Sequence, residues 1–392
     1  RLFGSHRNNL HVIETYSKFE PLSSDADSLD GLNIHGAIVD ELHAHKTREV
    51  WDVLETATGS RRQPLILAIT TAGTNKEGIC YELRDYAVKV VGGQIHDETI
   101  FGVVYTIDED DDWHDESLWI KSNPCLGVSV KLDDMRRLAQ KASEMPTARN
   151  NFLTKRLNVW TNTATAWLNM DKWALAPKLP ELDYLQQLPC FIGLDLANKL
   201  DVAAMVQLFV DGDKFHVLCK FYMPEDNVEA KSRTVGTLYQ MWAESGYMTL
   251  THGNIIDHEH IESDLRALLA DYDVREVAYD PWGSTQLSIR MTAEGAPMVE
   301  VGQTVKNFSE SMKTVEAMVQ AGKLHHGDNP VLNWMAGNIT AKIDANENVF
   351  PRKEHPDNKI DGMVALFMAV NRMLVHQNAG PSVYETEELL VL

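Results

Sequence analysis

Three apolar runs, Cys190–Leu196, Val202–Val210 and Lys214–Tyr222, follow one another too closely to be anything but antiparallel neighbours. A parallel pair needs a crossover of about a dozen residues or more. The second gap holds only Asp211-Gly212-Asp213, a tight-turn sequence. Beyond them the pattern alternates, with helical spacing over Ile261–Asp271, a strand over Glu276–Asp280, a helix over Ser284–Ala293, a short strand near Met298–Val301 and a helix over Asn307–Ala321. A last helix carries Ile360, Met363, Val364, Phe367 and Val370 on one face. A β-meander followed by α/β alternation and closed by a helix predicts a mixed α/β sheet.

The first half has a simpler rhythm. Ile34–Val39 ends in Asp40-Glu41, and Leu65–Thr71 ends in Ala72-Gly73; both read as interior parallel strands, with a helix over His45–Thr58 between them. Helical spacing returns over Lys131–Ser143 and Thr147–Val159, with Pro146 separating the two, and between Trp160 and Pro180 the pattern loosens into a linker. A length of 392 residues fits two or three domains. No run of about 18 apolar residues exists to span a bilayer. Four separated cysteines without a CxxC pair read as reduced thiols. The chain opens at Arg1 without methionine, in sequence that looks mid-domain, and is read as a piece of something longer.

The net charge of −21 argues against a free-standing nucleic-acid binder, because phosphate neutralisation calls for a basic surface. One tract, Asp108–Glu116, supplies seven of the negative charges, and a metal-dependent nuclease needs carboxylates and recruits its positive charge as cations. The balance favours a protein held on DNA by partners. Among the cations, Arg136, Arg137, Lys141, Arg149, Lys155 and Arg156 suit either DNA phosphates or a solvated helix face, and Lys306 and Lys313 frame another helix start. His43, His45, His258, His260, His325 and His326 lack partners at zinc spacing and read as surface residues or as groups behind a site, and Trp282 reads as a packing residue rather than a base-stacking platform.

Two constellations can carry chemistry. A hydrophobic strand ending in Asp40-Glu41 is the Walker B arrangement, in which the Asp holds Mg²⁺ through water and the Glu polarises the attacking water; Thr70 and Thr71, ending the next strand, can sense a γ-phosphate. Many buried strands end in acids that merely cap or face solvent. No G-x-x-x-x-G-K-[ST] phosphate cradle occurs in the chain. The second constellation is Asp195 inside an apolar strand, Asp280 at the end of another and Asp361 at the start of the last helix. A buried ionised acid is costly unless compensated, and such a trio can hold two divalent ions about 4 Å apart. Taken singly, each of the three also suits a turn, a cap or the surface.

The order of several short segments is similar to that of the large terminase subunit of tailed phages. They are Val39-Asp40-Glu41-Leu42-His43, Thr70-Thr71-Ala72-Gly73, the stretch Phe152–Trp160, Gly193-Leu194-Asp195-Leu196, Tyr279-Asp280-Pro281-Trp282, Asn329–Trp334 with Gly337-Asn338, and Lys359–Ala365. The resemblance implies a truncated P-loop (ASCE-type) ATPase domain over 1–165, a linker over 166–188, an RNase H-like nuclease domain with a mixed sheet over 189–378 and an acidic tail over 379–392. It also implies that Asp40 is the Walker B magnesium ligand, Glu41 the catalytic Glu, and Thr70-Thr71 the coupling motif. Asp195, Asp280 and Asp361 become the metal-binding nuclease acids, with Asp201 and Asp357 as auxiliary groups. The implied cofactors are two Mg²⁺ or Mn²⁺ ions, and ATP in the full-length protein. The implied partners are double-stranded DNA, a small terminase subunit and the portal protein, in a homo-oligomeric ring on the procapsid of the host cytoplasm, with no membrane. The expected activity is endonucleolytic cutting of concatemeric DNA during packaging. Two alternatives are another RNase H-like enzyme, such as a transposase or resolvase, and a non-catalytic remnant that binds packaging partners.

Overall fold

A computed structural model of the chain describes residues 4–6, 8–23, 29, 31–45, 47–164, 166–196, 202–230, 233–344, 346–355 and 357–378. It divides into two compact units, Arg1–Thr106 and Ile107–Leu392. None of its helices is long and apolar enough to cross a membrane. In the first unit, β1 (Gly4–His6), β2 (Asn9–Val12) and β3 (Ser17–Phe19) make a small antiparallel meander. Strands β4 (Gly36–Asp40) and β5 (Leu65–Ile69) pair in parallel across the helix Glu49–Thr56. The parallel pairing agrees with the sequence reading, but the interior position does not. Among the described residues this sheet has two strands only, so Ile38, Leu65, Leu67 and Ile69 stay exposed.

The second unit begins well before residue 165. Helices Leu132–Glu144 and Pro146–Arg156 pack around Trp113, Trp119, Met135, Phe152 and Leu157. Pro146 opens the second of these helices, where its missing N–H costs nothing. The acidic tract is compensated locally: Lys121 pairs with Asp108 and Asp111, and Arg136 with Glu116. Residues 166–188, expected as a linker, contribute Trp167, Leu168, Trp173 and Leu185 to the interior. Four large apolar side chains give that segment no freedom to act as a tether.

The main sheet is built from β6 (Pro189–Asp195), β7 (Ala203–Asp211), β8 (Lys214–Pro224), β9 (Thr249–Thr251), β10 (Asp273–Tyr279), β11 (Met298–Glu300) and β12 (Leu324–His325). Its order is β11-β10-β6-β7-β8-β12, with β9 also on β8. β7 runs antiparallel to both β6 and β8, whereas β10 and β11 are parallel to β6. A first strand at the centre, a reversed second strand and later parallel strands on the other side make the RNase H-like order. A hairpin of β13 (Ile339–Ile343) and β14 (Val349–Lys353) stands apart. Alternation along β6 splits the core: Cys190, Ile192 and Leu194 face a layer including Ile261, Leu265 and Leu287, and Phe191 faces the layer of the final helix, Asp361–Asn378.

That helix lies against bare backbone. A Cβ on Gly193 would sit 1.9 Å from the carbonyl oxygen of Ala365 and 3.1 Å from the amide nitrogen of Ala369. The glycine is therefore required by close approach and not by a turn. Gly193→Ala forces strand and helix apart, and overpacking of this kind is expected to cost about 3 kcal/mol, read as a lower urea midpoint at unchanged m-value.

His325 and His326, read as surface residues or as groups behind a site, are buried. His326 stacks on Trp173 and donates from Nε2 to its carbonyl at 2.9 Å. Its Nδ1 has no hydrogen-bond partner among the described residues. Burial lowers its pKa from the usual 6.5, and that of His216 likewise. The unfolded chain therefore takes up these protons first, so stability is full above pH 6.5 and falls below it. His326→Gln should flatten the fall in unfolding midpoint as pH drops below 6.5.

Candidate active site

Register places two of the expected acids side by side. Leu194 pairs with Tyr279 across the parallel β6–β10 ladder, so the next residues, Asp195 and Asp280, leave the sheet as neighbours. Adjacent strands are about 4.8 Å apart. Both aspartates follow the Phe191, Gly193 and Ala278 alternation, which faces the final helix. Asp195 is 9% and Asp280 7% exposed. Two ionised carboxylates on neighbouring strand ends repel, so the pair is a place where a cation is favoured.

The third acid arrives from above. Arg372 pairs with Glu276 and His376 packs on Phe191, whereas Gly362 sits over Phe221, which lies in the same cross-strand row as Ala204 and Asp195. The helix therefore runs antiparallel to β6, and its first residue, Asp361, stands at the end where Asp195 and Asp280 emerge. A Cβ on Gly362 would meet the Phe221 ring at 2.7 Å, so glycine lets the helix start drop onto the sheet. The approach to it is tied down: Asn338 donates to the Lys359 carbonyl at 2.8 Å, and Asn358 donates to that of Asn162 at 2.8 Å. Asn338 closes the helix Pro330–Asn338, whose start is capped by Asn329 accepting from the amides of Val331 and Leu332.

Individual oxygens have defined partners. Asp195 Oδ1 accepts from Gln303 Nε2 at 3.1 Å, and Asp280 Oδ1 accepts from the Trp282 amide at 3.0 Å, capping the helix Pro281–Ala293. Gln303 was not singled out from sequence; its only signal was a position just past β11 on the same sheet edge. Asp357 is exposed, and Asp201 lies outside the described residues. Among the described residues no three His, Cys, Asp or Glu side chains stand close enough to hold an ion together. The acids converge on one end of the sheet without forming a closed cluster, and their all-oxygen donor set suits Mg²⁺ or Mn²⁺ better than a softer ion.

In the first unit, Asp40 ends β4 opposite Ile69, the last residue of β5. Glu41 takes a left-handed backbone, φ 52°, and its amide still donates to the Ile69 carbonyl. His43 links the two motifs: its amide donates to Thr70 Oγ1 at 3.1 Å, and its Nδ1 lies 2.9 Å from both Thr70 Oγ1 and Glu41 Oε2. Thr70 Oγ1 in turn donates to the carbonyl of Thr71. Of the two readings the sequence left for His43, surface or behind a site, the structure gives the second.

The basic residues divide. Arg136, Arg137, Arg149 and Arg156 are paired with Glu116, Asp133, Asp134 and Asp171. Lys306 and Lys313 line a cleft of about 500 Å³ with Ser309, Glu310 and Asn348. Trp282, expected to pack, is 80% exposed.

A central strand and a helix start bearing acids at one end, preceded by a parallel pair ending in Asp-Glu and Thr-Thr, define a nuclease-type RNase H-like domain joined to part of an ASCE-type ATPase domain. Comparison with known proteins agrees. The family model described as terminase large subunit, endonuclease domain, matches residues 94–377, and that of the terminase large subunit ATPase domain matches residues 1–89. The chain belongs to the terminase large subunit family. It is 37% identical over 360 residues to Protein YmfN of Escherichia coli (strain K12), covering 89% of this chain and 79% of that protein. It is 29% identical over 358 residues to the terminase large subunit of Enterobacteria phage HK97, covering 90% and 69% respectively. The crystal structure of the HK97 bacteriophage large terminase superimposes with a TM-score of 0.49 at 27% identity, over 95% of this chain and 77% of that one.

The capping role of Asp280 is separable from its charge. Asp280→Ala should lower unfolding stability in EDTA by about 1 kcal/mol relative to Asp280→Asn, because Asn keeps an acceptor for the Trp282 amide; chemical denaturation of the two variants reads the difference.

Proposed function

We propose that this chain carries a metal-dependent endonuclease that cuts concatemeric double-stranded DNA during genome packaging. The observation that carries the reading is the Leu194–Tyr279 register, which sets Asp195 beside Asp280 under the helix that begins with Asp361. These three carboxylates would hold two Mg²⁺ or Mn²⁺ ions, which supply charge stabilisation and an activated water for in-line attack on a phosphodiester. Gln303 holds one oxygen of Asp195, and the helix cap holds one oxygen of Asp280. Nothing in this grip reads bases, so low sequence selectivity follows, with the locus chosen by a small terminase subunit.

Asp40, Glu41, Thr70 and Thr71 are the nucleotide-facing residues of the ATPase unit, with Asp40 toward magnesium and Glu41 toward water. The hydrogen bonds of His43 to Glu41 and Thr70 give that unit a direct route between hydrolysis and its coupling motif. In the complete protein this unit would power translocation through a portal, within a homo-oligomeric ring at the procapsid in the host cytoplasm.

Supercoiled plasmid incubated with the chain and Mn²⁺ should be nicked and linearised. Asp195→Asn, Asp280→Asn and Asp361→Asn should each slow this by about a hundredfold or more, equivalent to roughly 2.7 kcal/mol of barrier. Nicking that persists in all three variants removes the assignment, and a folded chain that never nicks favours a role in binding packaging partners.

A further inference from the structure

The helices Leu132–Glu144 and Pro146–Arg156 flank a cleft of about 520 Å³ that neither constellation uses. Ligand clefts are typically about 300–1,000 Å³. Leu138, Lys141 and Met145 recur at i, i+3 and i+7 along one wall, and Ala148, Asn151 and Lys155 do the same along the other. Among the described residues, every titratable side chain lining the cleft is a cation: Lys141, Lys155 and Arg156. The chain as a whole has 57 acidic residues against 36 Lys and Arg, so this is a local reversal of its charge. The acids of the first helix are turned elsewhere, Asp133 to Arg136 and Asp134 to Arg137, and Asp134 reaches Arg156 at 3.3 Å. The second helix adds its own field. Pro146 stands in its first turn and Met145 gives no side-chain cap, so the positive end of the helix opens beside Thr147, which also lines the cleft.

The cleft is tied to the acid-lined end by a short chain of contacts. Asn150 of the second helix donates to the Thr163 carbonyl at 2.6 Å, Asn358 donates to the carbonyl of the neighbouring Asn162 at 2.8 Å, and Asp361 follows three residues later. Such a path spans on the order of 30 Å, about one turn of duplex DNA.

We propose that this cleft binds the sugar-phosphate backbone of duplex DNA about one helical turn from the point of cutting, with Lys141 and Lys155 each contacting a phosphate and Thr147 and Asn151 donating hydrogen bonds between them. An ammonium on a flexible stem meets phosphate as a point charge, and hydroxyl and amide donors set the register of the strand without reading bases. The inference rests on the nuclease reading for its substrate and adds a cationic hold that the acid trio lacks. Phosphates of a free nucleotide share this chemistry, and the test separates the two sources.

The test measures binding of the whole chain to a labelled duplex of about three helical turns, with Ca²⁺ in place of Mn²⁺, across a series of salt concentrations. Lys141→Gln combined with Lys155→Gln should lower the slope of log affinity against log salt by about 1.8, about 0.9 for each phosphate, and weaken binding about thirtyfold at about 0.15 M salt. Arginine at both positions should restore slope and affinity. Lys306→Gln combined with Lys313→Gln removes the same charge from a cleft that also holds Glu310, and should leave the slope as it is. All four lysines are exposed, so melting temperatures should hold. A wild-type slope in the Lys141 and Lys155 variant overturns the site, as does an equal fall in the Lys306 and Lys313 variant, which would be an effect of net charge alone. ATP at constant ionic strength should not displace the duplex; displacement that disappears in the Lys141 and Lys155 variant assigns the cleft to a free nucleotide and overturns the DNA site. Plasmid nicking by the same preparations keeps the two readings apart. A lysine-dependent slope in a chain that never nicks retains the cleft and removes the nuclease, and nicking by a chain whose slope ignores these lysines removes the cleft alone.

Discussion

The contact between Gly193 and the final helix governs the arrangement of the second unit. With no side chain on the central strand at that point, the backbone of Ala365 and Ala369 descends onto β6, and the helix axis is fixed in height and direction. Arg372 on Glu276 at one end and Gly362 over Phe221 at the other fix its slide. The position of Asp361 over the sheet end is thereby a result of packing over most of the helix length, including Met363, Leu366, Phe367 and Val370, all buried.

Charge explains a second layer of the design. A net of −21 argues against DNA as a partner, yet part of the acidic charge is paired where it stands. Lys121 pairs with Asp108 and Asp111, Arg136 with Glu116, and Arg149 with Asp171. Whole-chain charge therefore says little about the local field at the end of β6 and β10, where the carboxylates are buried.

Much of this was readable from the residues. The meander was forced by gaps too short for crossovers; Asp195 and Asp280 stood out because an Asp inside or closing an apolar strand is costly, and Asp361 joined them through the resemblance. What the sequence hid was tertiary. Gln303 is an unremarked polar residue until register brings it to Asp195. His43 looks like half of a zinc motif and turns out to join Glu41 to Thr70. His326 could be read as a surface residue or a group behind a site, and its burial depends on Trp173, a stacking surface from a segment expected to be loose. Trp282 erred in the other direction, since aromatic residues are assigned to cores by default and this one has no neighbour to cover it on the kinked strand exit.

The antiparallel run of the final helix has a practical bearing on handling the molecule. Its 18 residues from Asp361 to Asn378 carry the backbone roughly 27 Å away from the carboxylates. A fluorophore or affinity handle carried at Asn378 therefore sits at the opposite end of β6 from the acids.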